Sequence, residues 1–133
     1  MGTMEGNRIG LAGEFRVMSE LLLRGHNPAK SYLENGADLV LENGIRVEVK
    51  SAHRCNVNRT TGYLFSLKGG HRGKRQDLDS CDFLICWCID DDCFYIVPKS
   101  EVTKTEIGIY NTSPNANHKY ASYREKWEIL ERR

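Results

Sequence analysis

No stretch of this chain stays apolar for the roughly 18 residues that a membrane-spanning helix needs, and its N-terminus lacks a signal-peptide core. Neither a membrane anchor nor a secreted product is expected. A formal net charge of +1 rules out a global polycation, so any nucleic-acid footprint has to be local. Internal repeats and low-complexity tracts are also missing. Five cysteines, an odd number, without a secretion signal point to a reducing cytoplasm rather than a disulfide framework. Four of them, Cys81, Cys86, Cys88 and Cys93, cluster without the paired C-x-x-C spacing of zinc sites. Cys86 and Cys88 fall in the apolar run Phe83 to Ile89, which reads as a buried strand where cysteine acts as a small hydrophobe.

What the chain does have is an acidic, acidic, basic triplet: Asp38, then Glu48 and Lys50 in Glu48-Val49-Lys50. Two adjacent carboxylates suit a hard divalent cation, and an ammonium beside them can orient a water or neutralise a phosphate. Leu39, Leu41, Ile45, Val47 and Val49 alternate on either side of Glu42-Asn43-Gly44, which predicts two strands joined tightly. A two-residue Asn43-Gly44 turn would mix apolar and charged groups on both faces. A three-residue loop with Gly44 in the left-handed conformation pairs Leu41 with Ile45 and Leu39 with Val47. That register sets Asp38 opposite Glu48, with Cβ atoms about 4.5–5.5 Å apart. A slip of one residue would turn every side chain to the wrong face.

A first helix is predicted from Ile9 to Arg24, stopped by Gly25, with Leu11, Met18, Leu21 and Leu22 as its buried stripe. Glu14 lies inside that stripe, where a carboxylate is costly unless it meets a metal or a partner. It is expected to approach the sheet face that carries Asp38 and Glu48. Gly10 and Gly13 would let the helix come close. Lys68-Gly69-Gly70-His71-Arg72-Gly73-Lys74-Arg75 is basic and glycine-rich, a composition suited to gripping phosphates, and Arg54 and Arg59 add to it from the preceding loop. Asp90-Asp91-Asp92 reads as a solvated hairpin tip, Ser100 as the start of a short helix, Asn111 to Asn117 as a loop and Tyr120 to Arg132 as a closing helix.

Gly13-Glu14-Phe15-Arg16, Leu22-Leu23-Arg24-Gly25, Asp38-Leu39-Val40 and Val47-Glu48-Val49-Lys50-Ser51 together resemble the PD-(D/E)XK nucleases. The resemblance is to their small single-domain branch of group I intron homing endonucleases and archaeal Holliday junction resolvases. Cys81-Asp82-Phe83-Leu84-Ile85, Phe94-Tyr95-Ile96-Val97-Pro98 and Tyr123-Arg124 with Trp127 look more like the intron-endonuclease group. Ala37 stands where the motif's proline would be. The resemblance spans about Asn7 to Leu130. It implies Asp38, Glu48 and the Val49 carbonyl as metal ligands, Lys50 as the catalytic lysine, and Glu14 as an additional helix carboxylate that holds a second metal or its water.

The expected architecture is a restriction-endonuclease-like α/β domain over residues 7–133, with a central mixed sheet of about five strands flanked by helices. Residues 1–6 are read as a disordered or tag-derived terminus. The expected activity is Mg2+- or Mn2+-dependent cleavage of double-stranded DNA, homing-endonuclease-like, by a homodimer or higher homo-oligomer. DNA contacts are expected from Arg54, Arg59, Lys68, Arg72, Lys74 and Arg75. A junction resolvase, a restriction or repair nuclease, and a non-catalytic nucleic-acid-binding module are the alternatives.

Overall fold

The computed structural model describes residues 4–31, 37–67 and 80–131. Helix α1 runs Met4–Leu23, so it begins ahead of the expected Ile9 and takes in Met4, Glu5 and Gly6 of the segment expected to be a disordered or tag-derived terminus. Gly25 ends it with φ +94, while His26 N–H donates to the Leu21 carbonyl and Gly25 N–H to that of Leu22. These two bonds cap the last carbonyls in a Schellman arrangement.

Eight strands follow: β1 (Ala29–Lys30), β2 (Leu39–Val40), β3 (Arg46–Ala52), β4 (Cys55–Val57), β5 (Thr60–Ser66), β6 (Phe83–Cys88), β7 (Cys93–Pro98) and β8 (Glu106–Ile109). One sheet has the order β1-β2-β3-β6-β7. β3 and β6 pair in parallel and the other neighbours are antiparallel, so the sheet is mixed, as the sequence predicts. The chain between β3 and β6 carries β4 and β5, which join β8 in a second sheet ordered β4-β5-β8.

Strand alternation divides the core in two. Leu39, Val47, Val49, Ile85, Phe94 and Ile96 meet Val17 and Leu21 of α1, together with Trp127 and Leu130. Leu84, Cys86, Cys88, Cys93, Tyr95 and Val97 face Tyr63, Phe65 and Ile107 of the second sheet. Cys81, Cys86, Cys88 and Cys93 are all buried and none is in a disulfide, so they do pack as small hydrophobes, while Cys55 is exposed.

The helix meets the sheet on a different stripe from the expected one. Gly13, Val17 and Leu21 are buried, whereas Leu11 is 43% and Leu22 56% exposed. The cause is a close approach at Gly13: a Cβ there would lie 1.7 Å from Ser51 Oγ. Gly10 has no such contact, since a Cβ on it meets nothing within 4 Å. Gly13→Ala is therefore expected to destabilise the domain by about 1–3 kcal/mol through overpacking. Adding Ser51→Gly should recover most of that loss in urea unfolding. A destabilisation that the second change leaves intact would refute the contact.

Two further segments depart from expectation. The expected closing helix from Tyr120 to Arg132 is, over its described residues 120–131, two 3-10 turns, Ala121–Tyr123 and Trp127–Glu131. Tyr95 and Arg124 form an isolated β-bridge, Glu125 N–H donates to the Phe94 carbonyl (2.7 Å), and Glu125 takes φ +51. Pairing with β7 overrides the helical periodicity of Tyr123, Trp127 and Leu130. The expected helix at Ser100 is likewise a single 3-10 turn, Lys99–Glu101. Among the described residues α1 is thus the one α-helix.

The three-aspartate tip is not merely solvated. Asp90 accepts from Arg54 N–H (2.6 Å) and lies 3.2 Å from His53 Nδ1. Asp91 accepts from Arg54 Nη2, from the Tyr63 hydroxyl (2.8 Å) and from Thr112 Oγ1 (3.0 Å). Asp92 accepts from Trp87 Nε1 (2.8 Å) and from Arg16 of α1 (3.2 and 3.1 Å). These donors hold all three carboxyls below the usual aspartate range. Their contribution to stability is present at neutral pH and is lost as the pH falls through the folded values.

Candidate active site

The loop Glu42-Asn43-Gly44 places the acidic pair as the sequence predicts. Gly44 adopts φ +85, Leu41 N–H donates to Ile45 (2.8 Å), and Gly44 N–H donates to Leu41 (2.9 Å). Asn43 Oδ1 accepts from Ile45 N–H (3.1 Å), and Asn43 Nδ2 ties the loop to the Leu130 carbonyl (2.9 Å). Leu39 then pairs with Val47 and Val40 with Arg46. Continued by one step, this register sets Asp38 beside Glu48.

Asp38 Oδ2 accepts the Val49 N–H at 2.8 Å, and its carboxyl also hydrogen-bonds with Glu48. Burial raises the Asp38 pKa above its ordinary 3.8, against the opposing pull of the Val49 N–H, the Lys50 charge, the Glu48 bond and Lys30. Glu48 is buried at 8% exposure, and Lys50 Nζ lies 3.8 Å from its Oε2. Glu14 is also raised above its ordinary value, first by burial and then by the negative charge of Asp38, while Lys30 opposes both.

Glu14 does not come from the expected side. In β3, Val47 and Val49 face α1, so Glu48 and Lys50 point to the other face, beside Leu84 and Cys86. Asp38, just ahead of β2, joins the two halves: it bonds with Glu48, and its charge is felt by Glu14. A residue missing from the sequence reading belongs here. Lys30 on β1 reaches Glu14, with Nζ 3.5 Å from Oε1. No sequence signal marks it, because a two-residue edge strand has no period and its contact depends on where α1 docks.

Of the expected DNA contacts, Arg54 is ion-paired with Asp91 and lies 5.6 Å from the Tyr63 ring centroid. Arg59 is exposed at the β4–β5 turn with φ +68. Lys68, Arg72, Lys74 and Arg75 lie outside the described residues.

Among the described residues no three His, Cys, Asp or Glu side chains form a ready-made metal cage. The donor set nevertheless fits Mg2+ or Mn2+. Mg2+ is usually held by one or two carboxylates with waters and substrate phosphates rather than by an all-protein cage. Asp38 and Glu48 share a hydrogen bond at the point where a cation would otherwise offset their charge. A carboxyl with a raised pKa binds its proton more tightly folded than unfolded, so at pH 7 the Asp38 charge opposes folding. Asp38→Asn keeps an acceptor for the Val49 N–H and removes that charge. It is expected to raise the melting temperature of the metal-free domain at pH 7, with the gap closing towards pH 4. A lower melting temperature in chelator at pH 7 would contradict this.

The mixed β1-β2-β3-β6-β7 sheet with α1 on one face is a restriction-endonuclease-like α/β fold. A family model described as PD-(D/E)XK endonuclease matches residues 4–130, and the chain belongs to that family. A solved structure described as a bacterial homing endonuclease, I-Ssp6803I, is similar in fold, with a TM-score of 0.73 at 22% sequence identity. The match covers 98% of this chain and 92% of that one. No curated protein sequence matches this chain.

Proposed function

We propose that this nuclease-family chain is a divalent-metal-dependent endonuclease of double-stranded DNA, homing-endonuclease-like in type, acting as one domain that includes all of α1, in the cytoplasm. The observation that carries the reading is Asp38 and Glu48 joined side by side, with the Lys50 ammonium 3.8 Å from Glu48. Asp38, Glu48 and the Val49 carbonyl would hold Mg2+ or Mn2+, with Glu14 behind them. A bound ion of this kind supplies Lewis acidity and a water of lowered pKa.

The protein's own groups have separate tasks. The Val49 N–H fixes the Asp38 carboxylate, and burial keeps bulk water from weakening charges at the site. Lys50 orients the attacking water or a non-bridging phosphate oxygen from the Glu48 side. The basic stretch around Arg72, Lys74 and Arg75, with Arg59, grips backbone phosphates without reading bases.

A duplex has two strands to cut and the described residues form one such set of carboxylates, so a symmetric homo-oligomer would present one set to each strand. Met4, Leu11, Phe15 and Leu22 are large, exposed and lie along one narrow face of α1. Leu11→Glu with Leu22→Glu is expected to convert dimer to monomer in sedimentation and to leave nicking while abolishing double-strand cleavage. A dimer that persists would move the interface elsewhere.

The deciding experiment incubates linear duplex, plasmid and a four-way junction with Mg2+ or with chelator. Cleavage of the duplex only with Mg2+ supports the proposal. Cleavage of the junction alone assigns a resolvase instead, and binding without cleavage of any substrate assigns a non-catalytic module.

A further inference from the structure

Lys30 is unusually placed for a lysine on a short edge strand. Its backbone is fixed opposite Leu39, the residue after Asp38, so its stem starts beside the acidic set. Its ammonium sits 3.5 Å from Glu14 and 5.6 Å from the centroid of the Phe15 ring. Glu14 and Lys30 are both largely covered, with side chains 21% and 27% exposed. Burial and Asp38 both act against a charge on Glu14, and Lys30 is what offsets them.

Resting on the metal-nuclease reading above, we propose that Lys30 is a built-in counter-ion that occupies the Glu14 side of the site and restricts it to a single divalent ion. Charge balance supports this. Glu14, Asp38 and Glu48, when ionised, set three negative charges against the two ammoniums of Lys30 and Lys50, leaving one negative charge. One divalent ion turns that into one positive charge, which matches a single phosphodiester. A further ion would leave the site overcharged while Lys30 stays on Glu14. The flexible lysine stem can move the ammonium away, and the Phe15 ring face offers it a neighbouring seat. Lys30 is a positioning residue in this scheme, since it acts through Glu14 rather than on the reacting atoms.

The test is Mn2+ titration by calorimetry in the absence of DNA, on full-length wild type, Lys30→Met, Lys30→Arg and Lys30→Met with Glu14→Gln. Wild type and Lys30→Arg are expected to bind one ion. Lys30→Met should bind a second, with affinity at that site raised about tenfold or more by loss of the competing charge. Adding Glu14→Gln should abolish the gain, which a merely structural role for Lys30 would not predict. Identical stoichiometry and affinity in wild type and Lys30→Met would overturn the counter-ion role and leave the nuclease reading standing. So would a gain that survives Glu14→Gln. If wild type itself bound no Mn2+, the metal-nuclease reading would fall, and this inference with it.

Discussion

Glu48→Gln is expected to lower DNA cleavage by about 10^3-fold or more, with duplex affinity nearly unchanged. The substitution is isosteric, so Val47, Val49 and their partners Phe83 and Ile85 keep their places in the sheet. What goes is a buried negative charge beside Asp38 and Lys50. Weaker cation binding at this point removes several kcal/mol of transition-state stabilisation, and each 1.36 kcal/mol corresponds to about a factor of ten in rate. Lys50→Ala should show the same split, because phosphate grip and chemistry use different groups. Binding is measured by fluorescence anisotropy in Ca2+ and cleavage in Mg2+. Wild-type turnover in either variant would remove the assignment of the site.

The largest expected loss of stability lies at Phe94. Its ring stacks on Trp87 (centroids 6.2 Å apart), takes the edge of Trp127 (5.2 Å), and lies under the Arg16 guanidinium at 4.9 Å. Its N–H and carbonyl both bond to Glu125. One residue thus joins α1, the sheet edge and the C-terminal 3-10 turns. Phe94→Ala is expected to cost about 3–5 kcal/mol, with the lost ring pairs adding to the cavity. Against a typical total of about 5–15 kcal/mol, that takes most of the stability. The urea midpoint should drop sharply while the slope holds. A loss under about 1.5 kcal/mol would mean that the C-terminal segment is anchored elsewhere.

The parts of this molecule legible in sequence are those fixed by local rules. The hairpin register followed from two constraints that agree, an alternating apolar set and a glycine suited to φ +85. Asp38 and Glu48 were therefore placed correctly before any tertiary contact was known. The helix C-terminus was similarly marked by Gly25. What sequence did not reveal depends on how elements dock. The buried stripe of α1 was set by a missing side chain at Gly13 meeting Ser51, a fact that no hydrophobic count contains. Trp127 and Leu130 are buried as their spacing suggested, yet Glu125 bonding to Phe94 broke the helix that the same spacing implied. Asp90, Asp91 and Asp92 gained partners from four distant segments, and Lys30 reached the site across an edge too short to leave a pattern.

The parallel pairing of β3 with β6 also sets a schedule. Every charged residue of the acidic site, from Glu14 to Lys50, leaves the ribosome early. The strand that flanks β3 on its other side ends only at Cys88. At ~5–20 residues per second, the interval is a few seconds. During it a growing chain carries every charged residue of the acidic site without the parallel neighbour that holds β3 in line.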